Sequence, residues 1–202
     1  MNALRLLLDL IILNLLWLQG CFLIFTTGAS TTALYQSIMK MRKGGSFQVW
    51  KTFWKCFLSN FRQATILLII VAVGLALVAA DVVIVLTVMT NVSFFLKIIM
   101  LLPAILVMPA LGFVFPFQAQ FENNIINTLK NARIMARIHI PASLVVLILN
   151  LIPVGIFAIW PNLFFQCVPL WITLGGSLIA YNNTAILQRV FNQYIQTNEN
   201  ET

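Results

Sequence analysis

The chain has 202 residues, 61% of them hydrophobic and only 8% charged, with a mean hydropathy of +0.97. Soluble domains run roughly 45–50% apolar and about 25% charged, so lipid must be the solvent for much of this chain, as a single all-α integral membrane domain over 1–202 with several spans. A net charge of +7 does not indicate nucleic acid here, because the basic residues gather beside apolar runs, as the positive-inside rule describes.

Leu4 to Phe25 is apolar apart from Asp9, Asn14 and Gln19. At about 22 residues and about 33 Å it predicts a first span over 4–25. Arg5 stands four residues before Asp9, which suits a local ion pair. The run outlasts the apolar region of a signal peptide and lacks a convincing A-x-A site, so it reads as a retained span.

The stretch TTGASTTALY, residues 26–35, concentrates Thr26, Thr27, Ser30, Thr31 and Thr32 around Gly28. Gly28 predicts a break, with Thr27 or Ser30 capping a short helix over 29–42. At about 21 Å that helix is short for a crossing. Ala29, Ala33 and Ser37 form a small-residue face that another helix can approach. Packing and capping on one hand, and a ligand site on the other, are both open to the hydroxyl block.

Residues 47–63 are amphipathic. Phe47, Trp50, Phe53, Trp54, Phe57, Leu58 and Phe61 recur at three- and four-residue steps, with Lys51, Lys55 and Arg62 at the edge. Such a helix suits the lipid headgroup plane, or docking of a partner through Trp50, Trp54, Phe57, Asn60 and Phe61. A second span follows over 64–89, interrupted only by Asp81. A third, over 98–118, carries Pro103, Pro109 and Pro116. Those prolines fit either kinked packing or a discontinuous transporter-type helix.

A second basic amphipathic segment spans 119–140. Phe121, Ile125, Leu129, Ala132 and Ala136 share its apolar side, while Asn123, Asn127 and Asn131 step along another beside Lys130. That ladder suits solvent, headgroups or a docking partner. Pro141 opens a fourth span, 141–160, and a fifth runs over 163–187, with Gly175, Gly176 and Ser177 as a close-packing patch. Segments 40–62 and 119–140 hold nine of the twelve basic residues, so both, and the C-terminus, are expected in the cytoplasm. The architecture is five spans, with the N-terminus outside, or six if 29–42 returns as an extra leg, with the N-terminus inside.

No catalytic, cofactor or metal site emerges. His139 is the sole histidine, Cys21, Cys56 and Cys167 have no paired spacing, and no G-x-x-x-x-G-K-[ST] is present.

The blocks DLIILNLLW (9–17), TTGASTTALY (26–35), WKTFWKCFLSNFRQATI (50–66) and FENNIINTLKNA (121–132) resemble, in order, the YesL-like family of bacterial integral membrane proteins, defined by a domain of unknown function. The resemblance implies a multi-pass protein of the cell membrane, in frequent genomic company with carbohydrate uptake and degradation genes. It implies no reaction. The expectation is therefore a non-enzymatic accessory component in the lipid bilayer, linked to a carbohydrate ABC transporter or a sensor. The rival is a permease subunit that itself moves a small solute.

Overall fold

The computed structural model describes residues 3–44, 48–88, 93–121 and 123–200, without the side chains at 86, 88, 94, 101–107, 109 and 193–200. Phe47, the turn at Asn91, and the side chains of Pro103 and Pro109 thus lie outside the described residues. What is described is helical almost throughout, with no strand among the described residues.

Helix α1 spans Ala3–Gly20, ending five residues before the expected limit at Phe25. The chain then reverses through one 3₁₀ turn at Ile24–Thr26 into α2, Thr27–Lys43. The reversal is fixed by hydroxyls. Thr26 Oγ1 lies 2.5 Å from Gly20 O and 2.6 Å from Leu23 O, its one proton shared between them, which covers the Gly20 carbonyl that the end of α1 leaves unpaired. Ser30 Oγ donates to Trp17 O at 2.8 Å, and Trp17 Nε1 donates to Thr31 Oγ1 at 3.2 Å. These bonds hold α1 and α2 as an antiparallel hairpin.

Two expectations for this stretch are corrected. The residue before α2 is Thr26, which makes no side-chain cap bond, so the hydroxyls close the end of α1 instead of capping α2. Gly28 lies inside α2, not at a break. Its role is proximity: a Cβ there would sit 2.5 Å from Ala64 O and 2.9 Å from Leu68 Cβ on the next helix.

That proximity makes α2 the innermost helix. Ala29, Ala33, Ser30, Thr32 and Ser37 are all completely buried, and α1, α3, α4 and α9 pack around it. Its last turn carries Lys40, Arg42 and Lys43, which complement the helix dipole. Gly44, at φ +80°, supplies the left-handed residue that ends it.

Helix α3 runs unbroken from Val49 to Val83, 35 residues and about 52 Å. The amphipathic segment and the second span, expected as separate pieces meeting near residue 63, are one rod. Nothing between Gln63 and Ala64 interrupts backbone bonding, and the apolar stripe of the first half has a protein surface to bury against. A π-helical turn, Ile84–Val88, extends it.

Helix α4, Phe94–Gln120, covers the third expected span in 27 residues and stays helical across Pro103, Pro109 and Pro116. The discontinuous-helix reading is therefore not met there. Helix α5, Ile125–Ile138, folds back along α4, and α6, Ile140–Ile159, continues beyond it. Ser143 Oγ bridges their junction, donating to Ala136 O at 2.8 Å.

The fifth expected span, 163–187, is not one helix. It is α7 (Pro161–Gln166), α8 (Val168–Leu170), a π-helical turn at Trp171–Gly175, and α9 (Gly176–Asn200). Pro169, lacking an N–H, sits at the start of α8.

Three helices among the described residues are long and apolar enough to cross a membrane: Ala3–Gly20, Val49–Val83 and Ile140–Ile159. That is fewer than the five or six expected. The differences lie in α2, whose hydroxyls lower its hydropathy, and in the segmented last leg. Helix α4, with part of its side chains outside the description, is not in that count. Large apolar side chains stand exposed along the three, among them Leu4, Leu8, Leu15, Ile69, Leu77, Ile148 and Ile159. Surfaces of that kind mark contact with lipid or protein rather than water.

Candidate functional site

In the aromatic stripe of α3, Phe53 is fully buried and Phe57 nearly so, Trp54 and Phe61 are half-buried, and Trp50 is 58% exposed. Successive rings touch edge to face, Trp54 to Phe57 at 5.2 Å and Phe57 to Phe61 at 5.6 Å between centroids. Much of the stripe is thus occupied by the chain itself, which corrects the picture of a helix lying free in the headgroup plane. Among the described residues of the stripe, Trp50 and Leu58 are the large apolar ones it leaves exposed.

Beside the stripe, the polar residues of α3 meet those of α2 and α4. Asn60 Nδ2 donates to Gln36 Oε1 of α2 at 3.0 Å and to Cys56 O at 2.9 Å. Gln63 Nε2 donates to the carbonyl of Asn123, between α4 and α5, at 2.6 Å. Between these bonds opens a cleft of about 370 Å³, closed on the α4 side by Gln118, Gln120 and Phe121. Its described lining includes six amides and Ser59, and no ionisable side chain.

The back wall is held by Thr32. Its hydroxyl lies 3.2 Å from Gln118 Oε1 and 3.0 Å from Gly28 O. Gln118 is only 5% exposed, and the other end of its amide, Nε2, has no partner. Turning the amide over would exchange the two ends without removing the vacancy. Phe121 stands at the rim, packed on Phe117 (4.6 Å) and Phe191 (5.4 Å).

Of the residues marked in the sequence, Asn60 and Asn123 come together here. Asn123 precedes α5, so it faces α3 and is not the first rung of a helical ladder. Asn127 is exposed, and its backbone N–H is capped by Asn124 Oδ1 at 2.9 Å. Lys130 is exposed and Asn131 half-exposed; neither lines the cleft. Gly28, Ala29 and Ala33 lie in the α2 contact surface, and Pro116 is buried in α4.

Sequence reasoning missed Gln36, Gln63, Gln118 and Gln120. Gln36 lies in α2, Gln63 in α3, and Gln118 and Gln120 at the end of α4, and only the folding of those three helices brings them together. It also missed Asn14, fully buried in α1. Asn14 Nδ2 donates to Trp171 O (3.1 Å) and Ile172 O (2.7 Å), while its Oδ1 accepts from Ser177 N (2.8 Å). The π-helical turn between α8 and α9 is thereby tied to α1.

The basic residues converge near the cleft. Lys40 Nζ reaches Cys56 Sγ at 3.5 Å, and Arg42 Nε donates to Gln188 Oε1 at 3.0 Å while lying 4.8 Å over the Tyr181 ring. The end of α2, the first half of α3 and α9 therefore meet at one end. The Gln63–Asn123 bond adds the start of α5, whose Lys130, Arg133 and Arg137 are exposed. Among the described residues no group of His, Cys, Asp or Glu is placed to hold a metal.

No curated protein and no solved structure matches the chain. Residues 10–82, which take in most of α1, all of α2 and nearly all of α3, match the family model described as a protein of unknown function, DUF624.

Proposed function

We propose that the chain is a multi-pass protein of the cell membrane that performs no covalent chemistry and serves as an accessory component of carbohydrate uptake or its sensing. The observation that carries the reading is the convergence of basic residues from α2, α3, α5 and α9 around an amide-lined cleft at one end of an apolar bundle. By the positive-inside rule that end is cytoplasmic, and its cations suit an anionic leaflet or an acidic partner surface. Helices α3, α4, α6 and the α7–α9 leg supply the crossings. The α1–α2 hairpin puts residue 3 on the same side as Lys43, which favours six legs, with α2 as an inner return, over five. The link to carbohydrate, to a transporter or sensor as partner and to the YesL-like family rests on the resemblance of the four sequence blocks.

Affinity purification of the full chain in mild detergent, with mass spectrometry, tests it. Transporter or sensor subunits are expected to co-purify and to be lost on charge reversal at the exposed Lys51, Lys55, Lys130 and Arg133. No such enrichment over controls would contradict the reading.

The permease reading keeps one supporting observation. Cavities of about 380 and 240 Å³ share Thr31, Tyr35 and Asn150 within the bundle. Leu34, Phe164 and Trp171 on one, and Val71, Leu75 and Leu147 on the other, suit an apolar solute better than a sugar. Flux into proteoliposomes holding only this chain would favour it.

A further inference from the structure

We propose that one face of α3, carrying Lys55 and Arg62, binds the headgroups of anionic phospholipids in the leaflet where that helix leaves the bilayer. The inference rests on the membrane setting of the proposed function and not on its carbohydrate partner.

Three observations carry it. The first is continuity along one rod. Lys55, Leu58, Arg62, Ile66, Ile69 and Val73 follow at steps of three and four residues, so they share one face of an unbroken helix. All six are exposed, Leu58 by 70% and Ile69 by 58%. The helix is long and apolar enough to cross a membrane, and a face that meets acyl chains at Ile66 and Ile69 meets headgroups where its cations begin. Leu58 is the last apolar residue of that face before Lys55, which lies about 4–5 Å below it along the axis. Arg62 stands one turn above Leu58, and helical side chains lean toward the N-terminal end. Both charged heads therefore reach one layer beside Leu58, comparable with a headgroup region about 5–8 Å deep.

The second is that these charges are uncommitted. No Asp or Glu occurs between residues 49 and 80. Lys55 and Arg62 make no hydrogen bond or ion pair among the described residues, whereas Lys40 is engaged with Cys56 and Arg42 with Gln188. Cations at the edge of a bilayer are attracted to anionic lipid, and a guanidinium can grip a phosphate through two parallel bonds. The third is the apolar residue between the two charges. A partner that covers Leu58 as well as Lys55 and Arg62 needs an apolar part beside its anionic part, as a phospholipid has. A soluble acidic surface would leave Leu58 and its continuation to Ile66 uncovered.

The test uses the full chain in nanodiscs of phosphatidylcholine alone and of phosphatidylcholine mixed equally with phosphatidylglycerol. Native mass spectrometry counts the lipids that stay bound when the chain is ejected, and thermal shift is the second readout. Phosphatidylglycerol is expected to be retained in preference to phosphatidylcholine and to raise Tm. Arg62→Gln and Lys55→Gln should each reduce that preference about five-fold. Lys51→Gln makes the same charge change about 10 Å beyond Leu58, outside the headgroup layer, and should leave the preference intact. Should Arg62→Gln fail to insert, Lys55→Gln decides. Soluble glycerol 3-phosphate should not raise Tm in phosphatidylcholine discs.

Equal retention of the two lipids overturns the proposal and leaves this face to an acidic protein. An equal loss in all three variants overturns it too, because net charge alone would then be acting. A response to glycerol 3-phosphate that matches the lipid's does the same. The discs hold no other protein, so retention that follows Lys55 and Arg62 stands whether or not transporter or sensor subunits co-purify with the chain.

Discussion

Asn14 and Gly28 look incidental in the sequence, one as a polar interruption of an apolar run and the other as a helix breaker. In the fold each is a contact that geometry makes hard to replace. Asn14 pairs two carbonyls freed by the π-helical turn and one N–H at the start of α9. Asn14→Leu would leave those groups unpaired in a buried place, at about 1–3 kcal/mol, and a drop of several degrees in Tm in detergent is expected. An unchanged Tm would mean that water or a shifted α9 satisfies them. Gly28→Ala drives a methyl group into Ala64 O and must separate α2 from α3; a loss of about 1–3 kcal/mol is expected. Gly155→Ala, with nothing within 4 Å of its Cβ, is the matched control and should hold or gain stability. Composition shows that such residues are unusual in their setting. It cannot show what they touch, because their partners lie far away in sequence (157 and 158 residues for the two carbonyls of Asn14).

The helices themselves were readable from periodicity, since a 3.6-residue stripe and long apolar runs are local properties. Their joints were not. The amphipathic half of α3 was separable from its apolar half on composition, yet the backbone continues because α2 covers the aromatic stripe. The stripe's energetics should follow that cover. Phe53→Ala removes a fully buried ring and is expected to cost about 3–5 kcal/mol, while Trp50→Ala, at a 58% exposed position, should cost under about 1 kcal/mol. Denaturant titration of the two variants would show the contrast. The reverse order would return the first half of α3 to the membrane surface as an independent interfacial helix. In the last leg the apolar run over 163–187 hid a break that Pro169 signals. Three prolines in α4 signalled a break that did not follow, since the helix runs through from Phe94 to Gln120.

Taken together, the helices separate a hydrocarbon-exposing surface on α1, the far part of α3 and α6 from an end where cations and amides collect. The helical class and the membrane setting follow from composition, which is additive along the chain. The cleft does not: its glutamines come from segments up to about 85 positions apart, and no short-range pattern joins them. Its two asparagines were visible only as members of amphipathic faces. The side of the membrane that this end faces is open to direct measurement. In a chain carrying Cys21→Ser, Cys56→Ala and Cys167→Ser, single cysteines at the exposed positions Lys51, Lys130 and Asn162 can be labelled with a membrane-impermeant maleimide in intact and opened cells. Positions 51 and 130 are predicted to react only once cells are opened, and position 162 in intact cells. Labelling of 51 or 130 from outside, or from opposite sides, would contradict the account.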